Sequence, residues 1–231
     1  MTARSGESYT APVEDYLKAI YEIERASGAA ATTDIAERLA IAPPSVSGMV
    51  RRLADQGLLE HERYRGVRLT SEGRRIALRT LRRHRVIECY LSRALGYPWD
   101  RVHEEAERLE HASSDELIDR MATAIGDPTV DPHGAPIPTR EGEIEERRLT
   151  SLSELEPLTL AHVVRVSDDD DASRLRYLGE LGLVPGAAVV ITGRAPFDGP
   201  MVLSVDGVER LMGPSLAAMV LVERAGRDIP G

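Results

Sequence analysis

The sequence of 231 residues is poor in cysteine, lysine and aromatic residues, and it has no long apolar run. The single cysteine, Cys89, excludes an intrachain disulfide and favours a reducing compartment, so we expect a cytoplasmic protein. No apolar run approaches the roughly 20 residues of a membrane-spanning helix, and residues 1–10 lack the apolar stretch of a secretory signal. We therefore expect no membrane partner. Lys18 is the only lysine, a bias that we attribute to genome composition.

The charge is unevenly distributed along the chain. The formal net charge is −9, yet residues 34–85 contain 12 arginines and 6 acidic residues. A basic segment within an acidic protein is either a solvated helix face or an electrostatic footprint for a polyanion. The second interpretation gains support if a nucleic-acid-binding fold occupies the same residues.

The basic segment has the pattern of a winged helix-turn-helix. Apolar residues at helical spacing predict a helix over 13–26. We expect a second helix over 34–40, capped by Thr32 or Thr33, and a third from about Ser45 to Gln56. Two short extended runs, 58–62 and 67–70, then form a hairpin. Helix, turn, helix and hairpin in this order are typical of DNA-binding proteins.

The start of the third helix is the expected DNA-reading element. Small and serine side chains there allow close approach to base edges, and arginines one turn later can reach phosphates. The hairpin tip, with Arg63, would be the wing. The candidate DNA-binding residues are Ala42, Pro44, Ser45, Ser47, Gly48, Arg51, Arg52, Tyr64 and Arg65. The alternative is a winged helix used only for protein contacts.

The rest of the chain is predicted to be helical and then β-rich. We expect a long helix over 71–95 and shorter helices over 99–111 and 113–125. Charged residues 142–157 have the composition of a linker. Four extended runs and one short helix follow, which predict a small β-barrel. The runs are 158–166, 187–193, 201–205 and 217–223, and the helix is 172–181.

One helix face carries a possible divalent-metal site. His103, Glu107, Glu110 and His111 share a face, whereas Val102, Ala106 and Leu109 supply the packed face. His84 and Glu88 form a second pair one turn apart on the preceding helix. These donors suit divalent metals, although a solvated acidic face has the same composition. The spacing does not match the His-Glu-x-x-His motif of zinc proteases.

Several segments resemble the diphtheria-toxin-repressor family of metal-dependent transcriptional regulators along nearly the whole chain. They are VEDYLKAIYEIE (13–24), DIAERL (34–39), PPSVSGMVRRLADQGLLEHERYRGVRLTSEGR (43–74), RRHR-x-x-E (82–88), VHEEAERLEHASSDE (102–116), DPHGAPIP (131–138) and LGELGLVPGA (178–187). The resemblance implies a mainly α protein with a small β part. The implied domains are a winged helix-turn-helix (1–76), a helical dimerisation and metal-binding domain (77–141), a linker (142–157) and an SH3-like barrel (158–226).

The resemblance also implies a function. The protein is expected to be a repressor that binds palindromic operator DNA as a homodimer when loaded with a divalent metal, up to two ions per subunit. The implied primary ligands are Asp15, Glu107, Glu110 and His111. The implied ancillary ligands are His84, Glu88 and His103, with Asp170 or Asp171 from the C-terminal domain.

The resemblance favours Mn(II) as the effector, with Fe(II) second. The iron-sensing branch has methionine and cysteine where this chain has Asp15 and Glu107, and Mn(II) prefers oxygen donors. The small manganese regulators have a glutamate where this chain has Lys18, so that ligand cannot be carried over.

Three alternatives remain open: an iron-responsive member, a metal-independent winged-helix regulator, and a dinuclear metallohydrolase. We find no nucleophile motif or phosphate loop, so we expect no enzyme and no small organic substrate.

Overall fold

The structure is a computed structural model that describes residues 9–62, 64, 66–145, 147–167, 171–197 and 199–225. The chain divides into two compact units. The first contains residues 1–84, 110–113 and 138–143, and the second contains 85–109, 114–137 and 144–231. No helix of the described residues is both long enough and apolar enough to cross a membrane.

The first unit contains the expected winged helix-turn-helix. Its helices and strands are α1 (Ala11–Ser27), α2 (Thr32–Arg38), α3 (Pro43–Asp55), β1 (Leu59–Glu62) and β2 (Gly66–Leu69). Pro12 falls in the first turn of α1, and Gly28, at φ +84°, ends it in the left-handed conformation that glycine adopts without strain. Fully buried Leu17, Ile35 and Leu53 join the three helices in one apolar core.

Three further helices follow. They are α4 (Ser71–Leu95), α5 (Val102–Glu110) and α6 (Asp115–Ala124). Ser114 caps α6, because its hydroxyl accepts a hydrogen bond from the backbone N–H of Leu117. In the second unit, buried Val86, Ile87, Val102 and Ile118 form the core between these helices.

The C-terminal part is a six-stranded antiparallel sheet in the order β3-β8-β4-β5-β6-β7. Its elements are β3 (Thr150–Ser151), β4 (Leu160–Val166), α7 (Ala172–Glu180), β5 (Ala188–Arg194), β6 (Met201–Val205), β7 (Val208–Met212), α8 (Pro214–Ala217) and β8 (Val220–Arg224). Register shifts in β4 and β5 mark irregularities that bend the sheet. This sheet and the helical domains before it confirm the predicted fold class.

Within the second unit, α7 packs closely on the segment before α5. Arg176 Nε donates a hydrogen bond to Asp100 Oδ2 at 2.9 Å. Gly179 leaves room for Trp99, because a Cβ at Gly179 would lie 2.8 Å from the indole Nε1. The SH3-like part therefore docks on the helical part of this unit through a glycine and an ion pair.

Several element boundaries differ from the sequence predictions. Helix α2 begins at Thr32, so Ala31 is its N-cap and neither Thr32 nor Thr33 caps it. The turn at 99–101 precedes α5, which ends at Glu110.

The C-terminal predictions also need correction. Strand β7 was not predicted, because its VERLM sequence carries two charges on a largely exposed edge strand. Residues 214–217 form a short helix rather than the start of a strand. Within the predicted linker (142–157), residues 150–154 form β3 and a 3-10 turn, and Leu152 and Leu155 are buried in the C-terminal core.

Candidate metal centre and nucleic-acid interface

Helix α3 presents one face to solvent and buries the other. Pro43 and Pro44 occupy its first turn, where their missing N–H groups cost no helical hydrogen bond. Val46, Val50 and Leu53 are buried. Every predicted DNA-contacting residue of this element is exposed, namely Ala42, Pro44, Ser45, Ser47, Gly48, Arg51 and Arg52. The element thus has the apolar anchor and the polar outer face that a recognition helix requires.

The wing projects beside this helix from the β1–β2 hairpin. Tyr64, at its tip, is 90% exposed and has a positive φ of 66°. The neighbouring predicted residues Arg63 and Arg65 lie outside the described residues. Next to the tip, the hairpin packs closely on the segment before α2: Gly66 has φ +115°, and a Cβ there would lie 2.0 Å from the carbonyl oxygen of Ala30.

A first group of possible metal ligands joins α1 to the end of α5. Asp15, Glu110 and His111 each offer a ligand atom, and these atoms lie within 4.8 Å of one another. The Nε2 atom of His111 lies 2.7 Å from Asp15 Oδ1 and 3.4 Å from Glu110 Oε1. The structure therefore brings together three of the four predicted primary ligands.

Glu107 is the predicted primary ligand that does not join this group. Its side chain is 54% exposed, and its Oε1 atom lies 3.7 Å from His103 Nε2. The resemblance implied this ligand, and helical spacing put it on one face with Glu110 and His111. Helix α5 ends at Glu110, after which His111 contacts α1. Glu107 consequently lies beside a predicted ancillary ligand.

Glu14 and Arg83 were not predicted, although they position His111. The buried Glu14 carboxylate lies 2.8 Å from His111 Nδ1 and 3.1 Å from Arg83 Nη1. Hydrogen bonds to Asp15 and then Glu14 raise the pKa of His111 to about 10, against the opposing effect of burial. Helical spacing places Glu14 on α1 beside Asp15, but it does not reveal this contact with residue 111.

Glu110 is 1% exposed and is held at both oxygens. Lys18 Nζ donates to Oε1 at 2.6 Å, and Oε2 shares a hydrogen bond with His84 Nδ1. Burial raises the pKa of Glu110, but the hydrogen bond and charge of His84, followed by those of Lys18, bring it below its ordinary value. Glu110 is therefore held as an ionised carboxylate, with a hydrogen-bond partner at each oxygen.

The predicted ancillary ligands His84, Glu88 and His103 form a second group. Their ligand atoms lie within 4.8 Å of one another. His84 and Glu88 are one turn apart on α4, and Glu88 Oε1 lies 3.3 Å from His103 Nδ1. Two imidazoles and a carboxylate are a donor set suited to divalent transition metals.

A third group shares Glu88 with the second. Glu88, Asp131 and His133 are all buried, and their ligand atoms lie within 4.8 Å of one another. Among the described residues, His133 Nδ1 has no hydrogen-bond partner, whereas its Nε2 lies 2.8 Å from the Trp99 carbonyl oxygen. This group was not predicted from the sequence.

Asp131 also has a structural role. Its Oδ1 accepts hydrogen bonds from the backbone N–H groups of His133 and Ala135, and Arg85 Nε lies 3.4 Å from its Oδ2. Burial and then the charge of Glu88 raise its pKa. A metal here would have to compete with the turn that Asp131 closes.

The predicted donors from the C-terminal domain have a different placement. Asp171 is the N-cap of α7 and accepts hydrogen bonds from the backbone N–H groups of Ser173 and Arg174. Asp171 belongs to none of the donor groups among the described residues. Asp170 lies outside the described residues.

Family models match successive segments of the chain. Residues 8–67 match the family model for an iron dependent repressor N-terminal DNA binding domain. Residues 70–139 match the iron dependent repressor metal binding and dimerisation domain, and residues 150–224 match the FeoA domain.

Some similar proteins are named for iron and others for manganese. The iron-dependent repressor IdeR of Mycobacterium leprae is 33% identical over 91% of this chain and 96% of its own length. The HTH-type transcriptional regulator MntR of Lysinibacillus sphaericus is 37% identical over 50% of this chain and 83% of its own length. A solved manganese-dependent transcriptional repressor in complex with manganese has a TM-score of 0.86 and 35% identity, covering 92% of this chain and 100% of that one.

Proposed function

Because the chain belongs to the diphtheria-toxin-repressor family of metal-dependent transcriptional repressors, we propose that it represses transcription as a Mn(II)-loaded homodimer on a palindromic operator. The family consists of regulators, not enzymes, which removes the metallohydrolase alternative. The observation that carries the proposal is the donor group of Asp15, Glu110 and His111, which links the first helix of the winged helix to the end of α5.

DNA binding is supported by the exposed face of α3. Arg51 and Arg52 lie one turn beyond the serines at its start, where they can contact phosphates while the small residues approach base edges. Selectivity by groove shape and by apolar contact with thymine methyl groups fits this composition better than arginine–guanine pairing.

Dimerisation is supported by apolar side chains exposed on α4, α5 and α6 of the second unit and, for Tyr97, on the segment that follows α4. Leu95, Tyr97, Leu109 and Leu117 are between 38% and 57% exposed. Leu109, which helical spacing predicts on the packed face of α5, is 38% exposed. Large exposed apolar side chains on neighbouring helices are typical of a surface that a second copy covers.

A metal bound by Asp15, Glu110 and His111 would tie the first helix of the DNA-binding part to the last residues of α5. Asp15 supplies an oxygen from α1, and Glu110 supplies a buried, ionised oxygen. Glu14 orients the His111 ring by bonding its Nδ1 atom, which leaves Nε2 directed at Asp15. With a metal bound, these residues would hold α1, and with it α3, in the arrangement that two operator half-sites require.

Manganese is favoured over iron because this donor group contains two carboxylates and one imidazole and no sulfur. Glu107, one turn before Glu110, would add a third carboxylate on rotating its exposed side chain. Fe(II) remains the second candidate, since the similar Mycobacterium leprae protein carries an iron-dependent name.

A second metal has two candidate positions that share Glu88. We favour the position formed by His84, Glu88 and His103, because the resemblance assigns these three ligands and because Asp131, in the other position, already accepts hydrogen bonds from the backbone N–H groups of His133 and Ala135. Glu88, Asp131 and His133 form the other, supported by the buried Nδ1 atom of His133. His103→Ala and His133→Ala separate the two positions, because each removes a ligand from one of them.

The central experiment is fluorescence-anisotropy binding to DNA from the protein's own promoter under anaerobic conditions. Mn(II) and Fe(II) are titrated separately against an EDTA control. We expect metal-dependent binding, with Mn(II) active at the lower concentration. Activation by Fe(II) at a lower concentration than Mn(II) would overturn the metal preference. DNA binding that is unchanged by EDTA would identify a metal-independent regulator.

Variants locate the activating metal. Asp15→Ala is expected to abolish metal-dependent operator binding and leave the circular dichroism spectrum unchanged. Glu107→Ala should reduce it as well, whereas Glu104→Ala, which removes a 74% exposed carboxylate from the same helix, should not. Retention of metal-dependent binding by Asp15→Ala would show that the activating metal lies elsewhere.

Metal preference has its own test. Glu107→Cys introduces a thiolate one turn before Glu110 and should shift the ranking of activating metals toward iron, cobalt or nickel. An unchanged ranking would show that residue 107 does not select the metal.

A further inference from the structure

Lys18, the only lysine of the chain, lies inside the first donor group. Its side chain is 11% exposed, and its Nζ atom is 2.6 Å from Glu110 Oε1. Lys18 and Asp15 are three residues apart on α1, so they lie on the same side of that helix. A fixed positive charge is therefore built into a group of proposed metal ligands.

The oxygen that Lys18 binds is the one that faces the other ligands. Glu110 Oε1 lies 3.4 Å from His111 Nε2, and His111 Nε2 lies 2.7 Å from Asp15 Oδ1. The second oxygen of Glu110 is already bonded to His84. A dication bound to Glu110 Oε1 would therefore share this oxygen with the ammonium group of Lys18. The two positive charges repel each other, and because the site is buried, solvent screens this repulsion only weakly.

We propose that Lys18 is a built-in cation that competes with the metal for Glu110 and thereby weakens metal binding at this site. This inference rests on the proposed function, because it assumes a metal at Asp15, Glu110 and His111. In the metal-free protein Lys18 neutralises a buried carboxylate. On metal binding, its ammonium group leaves Glu110 Oε1.

A lysine suits this exchange better than an arginine. Its ammonium is a compact charge on a flexible stem that can move away, whereas a guanidinium grips a carboxylate with two parallel hydrogen bonds. Lys18 is the only lysine of the chain, beside 28 arginines. A lysine-specific label would therefore report on this side chain alone.

The direct test observes Lys18 in the wild-type chain. Lysine-selective ¹³C and ¹⁵N labelling gives one side-chain signal, which is followed by NMR during titration with diamagnetic Cd(II). We expect its chemical shift to change in step with binding and its Nζ protons to exchange faster with water at saturation. A signal that stays unchanged at saturation overturns the proposal.

The second test measures affinity by competition with a chelator. Lys18→Met keeps the apolar stem and removes the charge, and we expect Mn(II) to bind at least about tenfold more tightly. Lys18→Arg should bind it more weakly than wild type. Arg38→Met, which removes a cation paired with Glu22 outside the donor group, is the control and should leave the affinity unchanged.

The outcomes separate the two proposals. Equal or weaker Mn(II) binding by a folded Lys18→Met variant overturns the role of Lys18 and leaves the metal site standing. Absence of Mn(II) and Cd(II) binding by the wild type overturns both proposals. If Lys18→Met does not fold, the labelled wild-type chain still decides the question.

Discussion

His84 and Glu110 are hydrogen-bonded to each other, although the resemblance to known repressors assigns them to different metal sites. The bond is buried, with 4% of the His84 side chain and 1% of the Glu110 side chain exposed. In a weakly screened interior such a contact is stronger than at the surface. The two proposed metal sites therefore share a direct physical link.

We predict that removal of His84 weakens metal binding at both sites. His84→Ala deletes a proposed ligand of one metal and the group that fixes Glu110 for the other. Loss of a partner that orients a ligand typically lowers metal affinity about 10- to 100-fold. Isothermal titration calorimetry with Mn(II) should show both binding events shifted to higher concentration.

The exposed His61 supplies the control for this experiment. His61→Ala removes a histidine from the wing hairpin and should leave both events unchanged. A His84→Ala protein that loses one event and keeps the other at wild-type affinity would show that the sites are independent.

We predict that Glu14→Gln weakens metal binding, although Glu14 belongs to none of the donor groups found among the described residues. Glutamine keeps the shape of the side chain but loses the charge that faces both Arg83 and His111. His111 would then be less firmly oriented, and we expect Mn(II) affinity to fall by about a factor of ten. Chelator competition measures the change.

Glu22→Gln is the matched variant on the same helix, because Glu22 pairs with Arg38 outside the donor group. It should bind Mn(II) as wild type does. Equal affinities for Glu14→Gln and Glu22→Gln would show that Glu14 does not position His111.

The sequence predicted what depends on local spacing. Helical periodicity placed His84 one turn before Glu88, and it identified α4 with its observed ends. The winged helix followed from the order of its elements and from the prolines at the start of α3. These features depend on neighbours within a few residues.

Contacts between residues that are far apart in the sequence could not be predicted from local spacing. Glu14 contacts His111, and Lys18 contacts Glu110. Asp131 lies close to Glu88, although 43 residues separate them in the sequence. No periodicity in a single sequence records which of several acidic residues a distant histidine contacts. Helical spacing put Glu107 on one face with Glu110 and His111, but it did not reveal that the Glu107 carboxylate lies beside His103.

We predict a pH dependence of stability in the metal-free protein. The hydrogen bonds that the His111 ring donates to Asp15 and then Glu14 raise its pKa from 6.5 to about 10 in the folded state. The protonated ring therefore stabilises the folded state fully below pH 6.5, and this contribution is lost as the pH rises toward 10. Thermal unfolding in EDTA should show His111→Gln well below wild type at pH 6.5, with the difference shrinking at pH 9 to 10. A constant difference across this range would contradict a raised pKa.

We predict that Gly179→Ala disturbs the docking of α7 on Trp99. The added Cβ would lie 2.8 Å from the indole Nε1 and 3.3 Å from two further indole carbons, Cε2 and Cζ2. Either the indole or α7 must move, and overpacking of this kind costs about 1 to 3 kcal/mol. Trp99 is the only tryptophan, so its fluorescence emission reports the change directly and should shift to longer wavelength as the ring gains solvent.

Gly48→Ala is the control, since Gly48 is also helical but a Cβ there meets nothing within 4 Å. It should leave the Trp99 emission unchanged and raise the stability of α3 by up to about 1 kcal/mol, because alanine favours helix more than glycine does. A Gly179→Ala protein with wild-type emission and wild-type unfolding temperature would show that α7 and Trp99 adjust without cost. The glycine would then have no part in holding the C-terminal sheet against the helices of its unit.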